Sequence, residues 1–443
     1  MMMALSMSAC SDAASGFSPV ADGGASSAGS AGTTTGGGSS GGGAAGTTAT
    51  VLGGGGGNGA GGSVASGSGG VSPAAGSGGG SAGGEAGGAS GSGGGLVDAP
   101  RPRLISTQAE LARVVAAVSG AAEHPMKQGW EKLSGTKFAP LTYQATPHAV
   151  VEVKGSGTTP AEAALRNDAV AAYAQALSWV VTGDAQHSQK AIEIMRDWSA
   201  VLSDVVPEAG SPDVQDELEV AWYAPIWLNA AELIRYYDGG AAGWSAEDIA
   251  LFDGMVELFK AKADGWAGSQ GCCPNQAISV IFSRLSIAVY TGDTAYRQAA
   301  LDTFTDSVLP RSIADSGEVL EINRIDGGDC GHATYNIEGI FDIAEVAWHQ
   351  GIDLYADPRL SKGLEYLAQC ITEGVDTSSE GFVHCADMRP SSVEIAYNHY
   401  THRAQGYALP RTEALLELLR PSDQGSGKFI PWDTLTHADL DQD

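Results

Sequence analysis

Positive charge is what this 443-residue sequence has least of. It carries 24 Lys and Arg against 52 Asp and Glu, and none of the 24 falls in the first 100 residues. A net charge of −28 argues against a protein that neutralises nucleic-acid phosphates or adheres to an anionic lipid surface. Long apolar runs are missing too: none reaches 18 residues, so no segment reads as a membrane-spanning helix. Cysteine is scarce. There are six, none in C-x-x-C spacing, which argues against a structural zinc site.

What is present divides into two unlike polymers. Residues 1–100 hold 35 of the 62 glycines and only four acids, Asp12, Asp22, Glu85 and Asp98. Such a stretch cannot bury enough apolar surface to offset its chain entropy and is expected to be a disordered tether over 11–98. Ahead of it, Leu5 and Met7-Ser8-Ala9-Cys10 read as the remnant (1–10) of a lipoprotein signal, with Cys10 the lipidated residue. The expected location is therefore outside the cell, lipid-anchored at a bacterial surface or secreted, with membrane contact only through Cys10. Setting Cys10 aside leaves Cys272, Cys273, Cys330, Cys370 and Cys385, an odd number in an exported protein, so at least one is unpaired.

Residues 99–443 read as one helical domain. Thr159-Pro160 opens a long Ala-rich helix that stops at Gly183, and Asp184 caps the next. The same grammar returns 109 residues later at Thr291-Gly292-Asp293. Further helical stretches are predicted at 107–119, 219–237, 246–264, 334–350, 359–373 and 411–420, with one short strand at 149–153. Recurring helical hairpins point to an all-α, (α/α) toroid.

Four polar clusters interrupt the helices. Asn275 and Gln276 sit just before a helix expected from about Ala277, where capping is the simple explanation. The run from Glu321 to Asn336 packs Arg324, Asp326, Asp329, His332 and Tyr335 around three glycines, with His332 and Tyr335 on one helix face. Trp348-His349-Gln350-Gly351 reads as a structural helix end. Arg389, Tyr397, Asn398, His399, Tyr400 and Arg403 form the fourth cluster, too polar for a plain apolar core.

The segment from His332 through GIFDIAEVAWHQGIDLY and RLSKGLEYLAQ to EIAYNHY resembles the alginate lyase superfamily of polysaccharide lyases. The Asn275-Gln276 pair and the Trp432–His437 tail resemble it as well, so the likeness spans about Pro102 to His437. Related sequences often carry Arg-Asp-x-Gly-His where this chain has Gly328-Asp329-Cys330-Gly331-His332, and some place His after the cleft Asn where Gln276 stands. The resemblance implies a toroid and metal-independent β-elimination on 1,4-linked uronic-acid polymers, with no cofactor and no metal.

That reaction needs a neutralised carboxylate, a base for the C5 proton and an acid for the departing O4. Asn275 and His332 are expected to neutralise, and Tyr335 to move protons, with Tyr397 and Tyr400 as rivals. Gln276, Arg324, Arg389, Tyr397, Asn398, His399 and Arg403 are expected to hold substrate. The partner is an anionic polysaccharide bound by a monomer, and the acidic net charge then demands a local basic strip in the cleft. Two other readings stand: a glycoside hydrolase using two carboxylates among Glu321, Asp326 and Asp329, and a glycan-binding protein without turnover.

Overall fold

Capping chemistry starts most of the helices, and left-handed glycines end several. The computed structural model describes residues 100–266, 273–404 and 406–440; the tether, Cys10 and Cys272 lie outside the described residues. Helix α1 (Gln108–Ser119) begins with a Thr107/Glu110 capping box, and α2 (Pro125–Ser134) follows. Strand β1 (Val150–Val153) leads to α3 (Pro160–Thr182), which opens on a Thr159/Glu162 box with Pro160 at its first position. Then come α4 (Ala185–Ser199), β2 (Asp204–Pro207), α5 (Gln215–Tyr236) and α6 (Ala246–Gly265). The chain continues through α7 (Pro274–Thr291), α8 (Thr294–Thr303), α9 (Leu309–Ser312) and α10 (Cys330–Trp348). It closes with α11 (Pro358–Thr372), the hairpin β3 (Val375–Thr377) and β4 (Gly381–Val383), then α12 (Val393–Asn398), α13 (Pro410–Leu419) and α14 (Asp433–His437).

The repeated Thr-Gly-Asp turns do the same work twice. Gly183 and Gly292 take left-handed φ of 70° and 77°, which ends one helix without a Cβ penalty. Asp184 and Asp293 then accept the backbone N–H of Gln186 and Tyr296, each at 2.9 Å, and start the next.

Packing arranges the helices as a ring. Helices α3, α5, α7 and α10 contact one another in sequence, α10 meets α12, α12 meets α14, and α14 meets α1, which returns to α3. The inner helices are buried on nearly every side, whereas α4, α6 and α8 pack outside them. This is the all-α toroid expected from the hairpin grammar. One buried carboxylate on the inner ring is fully paired: Asp168 accepts from Tyr143 Oη, Thr146 N–H and Trp198 Nε1 at 2.6–2.8 Å. The expected strand at 149–153 is present, but its parallel partner β2 and the β3–β4 hairpin were too short to show alternation.

Candidate active site

Two long inner helices, α7 and α10, aim their N-termini at one cavity of about 450 Å³. Helix α7 starts abruptly: Cys273 takes a left-handed φ of 59°, Pro274 occupies the first helical position, and Asn275 follows. Asn275 is buried on the cavity wall with its side-chain Oδ1 lacking a partner among the described residues. Helix α10 starts at the glycine-bearing loop before it. Gly328 has φ of +95°, and a Cβ there would lie 2.6 Å from the Val383 side chain, so only glycine lets this loop pass beneath β4. The Cys330–Cys385 disulfide fastens the first residue of α10 to the segment after β4.

Asp329 caps α10 by accepting the His332 N–H at 3.2 Å, and its carboxylate also meets His332 Nδ1 at 2.8 Å. Burial works against ionising Asp329, but the His332 contacts and Arg324 hold it below the usual carboxylate range. An ionised carboxylate only accepts, so Nδ1 carries the proton and Nε2 is the nitrogen left for a ligand. One turn further on, the Tyr335 ring lies 5.5 Å from the His332 ring, edge to face. Its hydroxyl has no hydrogen-bond partner among the described residues. Burial, with Glu338 and Asp329 nearby, pushes the phenol up to about 12, only partly offset by Arg166. Tyr335 therefore rests as a protonated donor.

Asn275, Gln276, Arg324, Asp329, His332 and Tyr335 line this one cavity together. The sequence did not single out Lys154, Arg166, Trp222 and Lys428, which line it too. Five basic side chains thus face one carboxylate, so the acidic protein contains the basic strip a polyanion requires. The two helix N-termini add positive ends to the same space.

The fourth cluster is elsewhere. Tyr397, Asn398, His399, Tyr400 and Arg403 are absent from the cavity wall and pack in or against the interior behind α10. Arg403 pairs with Glu345 at 2.7 Å and with Glu110, while His349 and His437 close the same network. His399 stacks on Tyr355 with centroids 3.7 Å apart, and burial holds it down to about 4. Tyr400 Oη donates to the Tyr355 carbonyl, Asn398 to the Leu440 carbonyl, and Tyr397 Oη to Glu413. These side chains find partners elsewhere, in Glu345, Glu413, Tyr355 and Leu440, which is why the string is polar without being a cleft. Arg389 is exposed and bonds the Ala386 and Met388 carbonyls, off the cavity. Glu110, Glu345 and His349 could by spacing hold a metal ion, but the Arg403 guanidinium already supplies their cation.

The hydrolase arrangement is not assembled either. Of Glu321, Asp326 and Asp329 only Asp329 reaches the wall, already spent on His332; Asp326 is exposed and Glu321 is buried behind Asn275.

The alginate lyase family model matches residues 126–377, more than half of the chain. The chain belongs to the alginate lyase family. It is accordingly a polysaccharide lyase. Among solved structures, the ring is similar to alginate lyase A1-III from Sphingomonas species A1, with a TM-score of 0.57 at 16% identity over 77% of this chain and 98% of that one. An alginate lyase from Bacteroides ovatus gives 0.54 at 14% identity, covering 77% and 100%. A variant of the Sphingomonas enzyme complexed with tetrasaccharide gives 0.55 at 17%, covering 75% and 95%. A comparison with curated protein sequences gave no match. At these identities the structural likeness concerns the lyase fold, and the chemistry rests on the cavity.

Proposed function

We propose that the chain cleaves 1,4-linked uronate polymers, of the alginate, polymannuronate or glucuronan type, by metal-independent β-elimination in this cavity. The observation that carries the reading is the Asp329–His332–Tyr335 arrangement on the first two turns of α10, set in a cationic wall. Asn275 and the two helix N-termini draw charge from the sugar carboxylate as C5 becomes acidic, an effect worth about 3–4 kcal/mol per donor in a desolvated site. In place of the carboxylate-neutralising role read from the sequence, His332 Nε2, oriented by Asp329, takes the C5 proton, because the Tyr335 phenol, pushed up to about 12, rests protonated and is left as the acid. The C5–H electron pair forms the C4=C5 double bond, the C4–O4 bond breaks, and the protonated Tyr335 phenol delivers its proton to O4. The tetrasaccharide complex of the Sphingomonas relative supports an oligosaccharide-length substrate.

Export to an oxidising compartment, with Cys10 as anchor, belongs to the same proposal and is supported by the Cys330–Cys385 disulfide. The deciding experiment incubates the protein with alginate, polymannuronate, polyguluronate, glucuronan and hyaluronan. It follows ultraviolet absorbance of the new double bond alongside reducing ends. Absorbance rising with reducing ends is expected on at least one polymer of the proposed type. Reducing ends without absorbance would mean hydrolysis, and binding with neither would mean a non-catalytic glycan receptor.

A further inference from the structure

The basic side chains on the cavity wall are not equivalent. Lys154 lies 3.6 Å from Glu208, Arg324 lies 3.6 Å from Glu321 and 3.7 Å from Asp329, and His332 is bound to Asp329. Arg166 is held by Glu162 and, through two nitrogens, by Glu219. Lys428 alone among these five has no carboxylate at ion-pair distance among the described residues; its Nζ rests 3.7 Å over the Trp222 ring instead.

Its position is fixed from both sides. Gly427 accepts from Tyr223 Oη at 2.6 Å, and the Ser426 N–H donates to Glu338 at 3.1 Å. The Ile430 N–H donates to Asp342 at 3.2 Å, while Phe429 is buried 6.5 Å from the Tyr335 ring. Gly425, at φ of +53°, passes so close to Ser391 that a Cβ would sit 2.6 Å from its backbone nitrogen. A loop this tightly pinned presents one ammonium group to the cleft with little freedom left to lose on binding.

The geometry points to Lys428 as a substrate-binding residue that pairs with a uronate carboxylate in the cleft, the anion taking the place of the Trp222 ring as its partner. This rests on the lyase reading and names a residue of that site. A ring face is a weak partner for a cation beside a charge-assisted hydrogen bond to a carboxylate. The free enzyme thus holds an unspent charge that a bound polyanion would satisfy. Burial and the neighbouring Arg166 bring the amine down to about 7, against the weaker pull of Glu219 on α5 and Glu162 on α3. Pairing with a carboxylate favours the charged form, so substrate binding takes up a proton near neutral pH. Above about 7 the free amine is increasingly neutral, and affinity falls by up to tenfold per pH unit.

The test compares Lys428→Met and Lys428→Arg in the full chain. Steady-state kinetics are run on whichever uronate polymer the wild type cleaves, and oligouronate binding is measured calorimetrically in two buffers on a Tyr335→Phe background. For Lys428→Met, KM and the oligouronate Kd are expected to rise roughly tenfold to a hundredfold. Proton uptake should disappear, and the melting temperature should not fall, because a half-buried cation with no carboxylate partner has been removed. Lys428→Arg should restore affinity within a few-fold without proton uptake. Unchanged Kd in Lys428→Met while the wild type eliminates would overturn the assignment of Lys428 and leave the lyase reading standing. So would persistent proton uptake. A fall in melting temperature that tracks the loss of binding and is not rescued by arginine would mean a merely structural lysine. No elimination and no uronate binding by the wild type would overturn both.

Discussion

The Asp329 carboxylate caps helix α10 through Oδ1 and grips His332 Nδ1 at 2.8 Å with both oxygens. One side chain therefore starts the helix and sets the tautomer of the histidine it carries. The two jobs separate under mutation. Asn caps a helix nearly as well as Asp, so Asp329→Asn should leave the melting temperature within a few degrees of wild type. It cannot hold His332 as firmly through a charge, and its amide can present a donor to Nδ1, which would put the proton on the wrong nitrogen. Turnover should fall by roughly tenfold or more with little change in KM, less than the roughly 10²–10⁴-fold expected for His332→Ala. Equal activity in Asp329→Asn and wild type would remove Asp329 from the orienting role.

Acid and base can be told apart by the leaving group. If Tyr335 protonates O4, Tyr335→Phe should abolish turnover of polymer but spare a uronoside whose O4 bears a nitrophenyl group, which departs without a proton. His332→Ala should lose both substrates, because the C5 proton must still be removed. The reverse pattern would exchange the two assignments.

The toroid was readable because its punctuation is local. Capping boxes at Thr107 and Thr159 and the Thr-Gly-Asp turns need no distant information. Asn275, Gln276, Arg324, His332 and Tyr335 were readable for a similar reason, since polar groups crowd around glycines before a helix. Arg166 and Lys428 gave no such signal. Arg166 is the one basic residue on an Ala-rich helix, and Lys428 is the sole Lys or Arg after Arg420. Only the ring closure brings α3 and the C-terminal loop to the same wall. The Tyr-Asn-His-Tyr string misled for the converse reason: the two carboxylates that neutralise Arg403, Glu345 and Glu110, are 58 and 293 positions away.

That network makes a stability prediction. Burial would raise Glu110 and Glu345, but His349 and Arg403 hold both carboxyls below their ordinary range. Arg403→Met leaves two buried carboxylates without their main cation and should destabilise by about 3–5 kcal/mol in denaturant unfolding. The molecules that remain folded should keep wild-type kcat and KM. A specific rise in KM at unchanged stability would return Arg403 to the cleft. Chelator should change neither stability nor turnover.

Stability against pH should show two opposed trends. Glu110, Glu345 and Asp329, held low in the fold, contribute stability that is present above their unfolded values near 4 and lost as the medium turns acidic. Glu338 runs the other way: burial lifts it to about 7 despite bonds from Ser391 and Ser426. Its contribution is complete below about 4.5 and disappears as pH rises through 7. Glu338→Gln keeps an acceptor for those donors and cannot ionise. Its melting temperature should match wild type near pH 5 and exceed it near pH 8, by a margin that grows across the interval. A constant difference at every pH would mean that Glu338 does not titrate there.

The disulfide offers the last handle on the site. Cys330 opens α10 beside Asp329, and its bond to Cys385 closes a loop spanning 55 residues, a constraint worth about 4 kcal/mol in the chain-entropy model. The free thiol of Cys370 lies 3.1 Å from Cys385 Sγ, buried and pushed up to about 11 by that burial. A thiol so rarely ionised attacks slowly, so the Cys330–Cys385 pairing should persist at neutral pH and scramble to Cys370–Cys385 at strongly alkaline pH. Cys370→Ser should abolish that scrambling, read by peptide mapping after alkylation, and leave turnover unchanged. Double replacement of Cys330 and Cys385 by Ser should lower stability and also turnover, because the first turn of α10 carries both Asp329 and His332. Lost stability with unimpaired turnover would show that the cap alone positions the histidine.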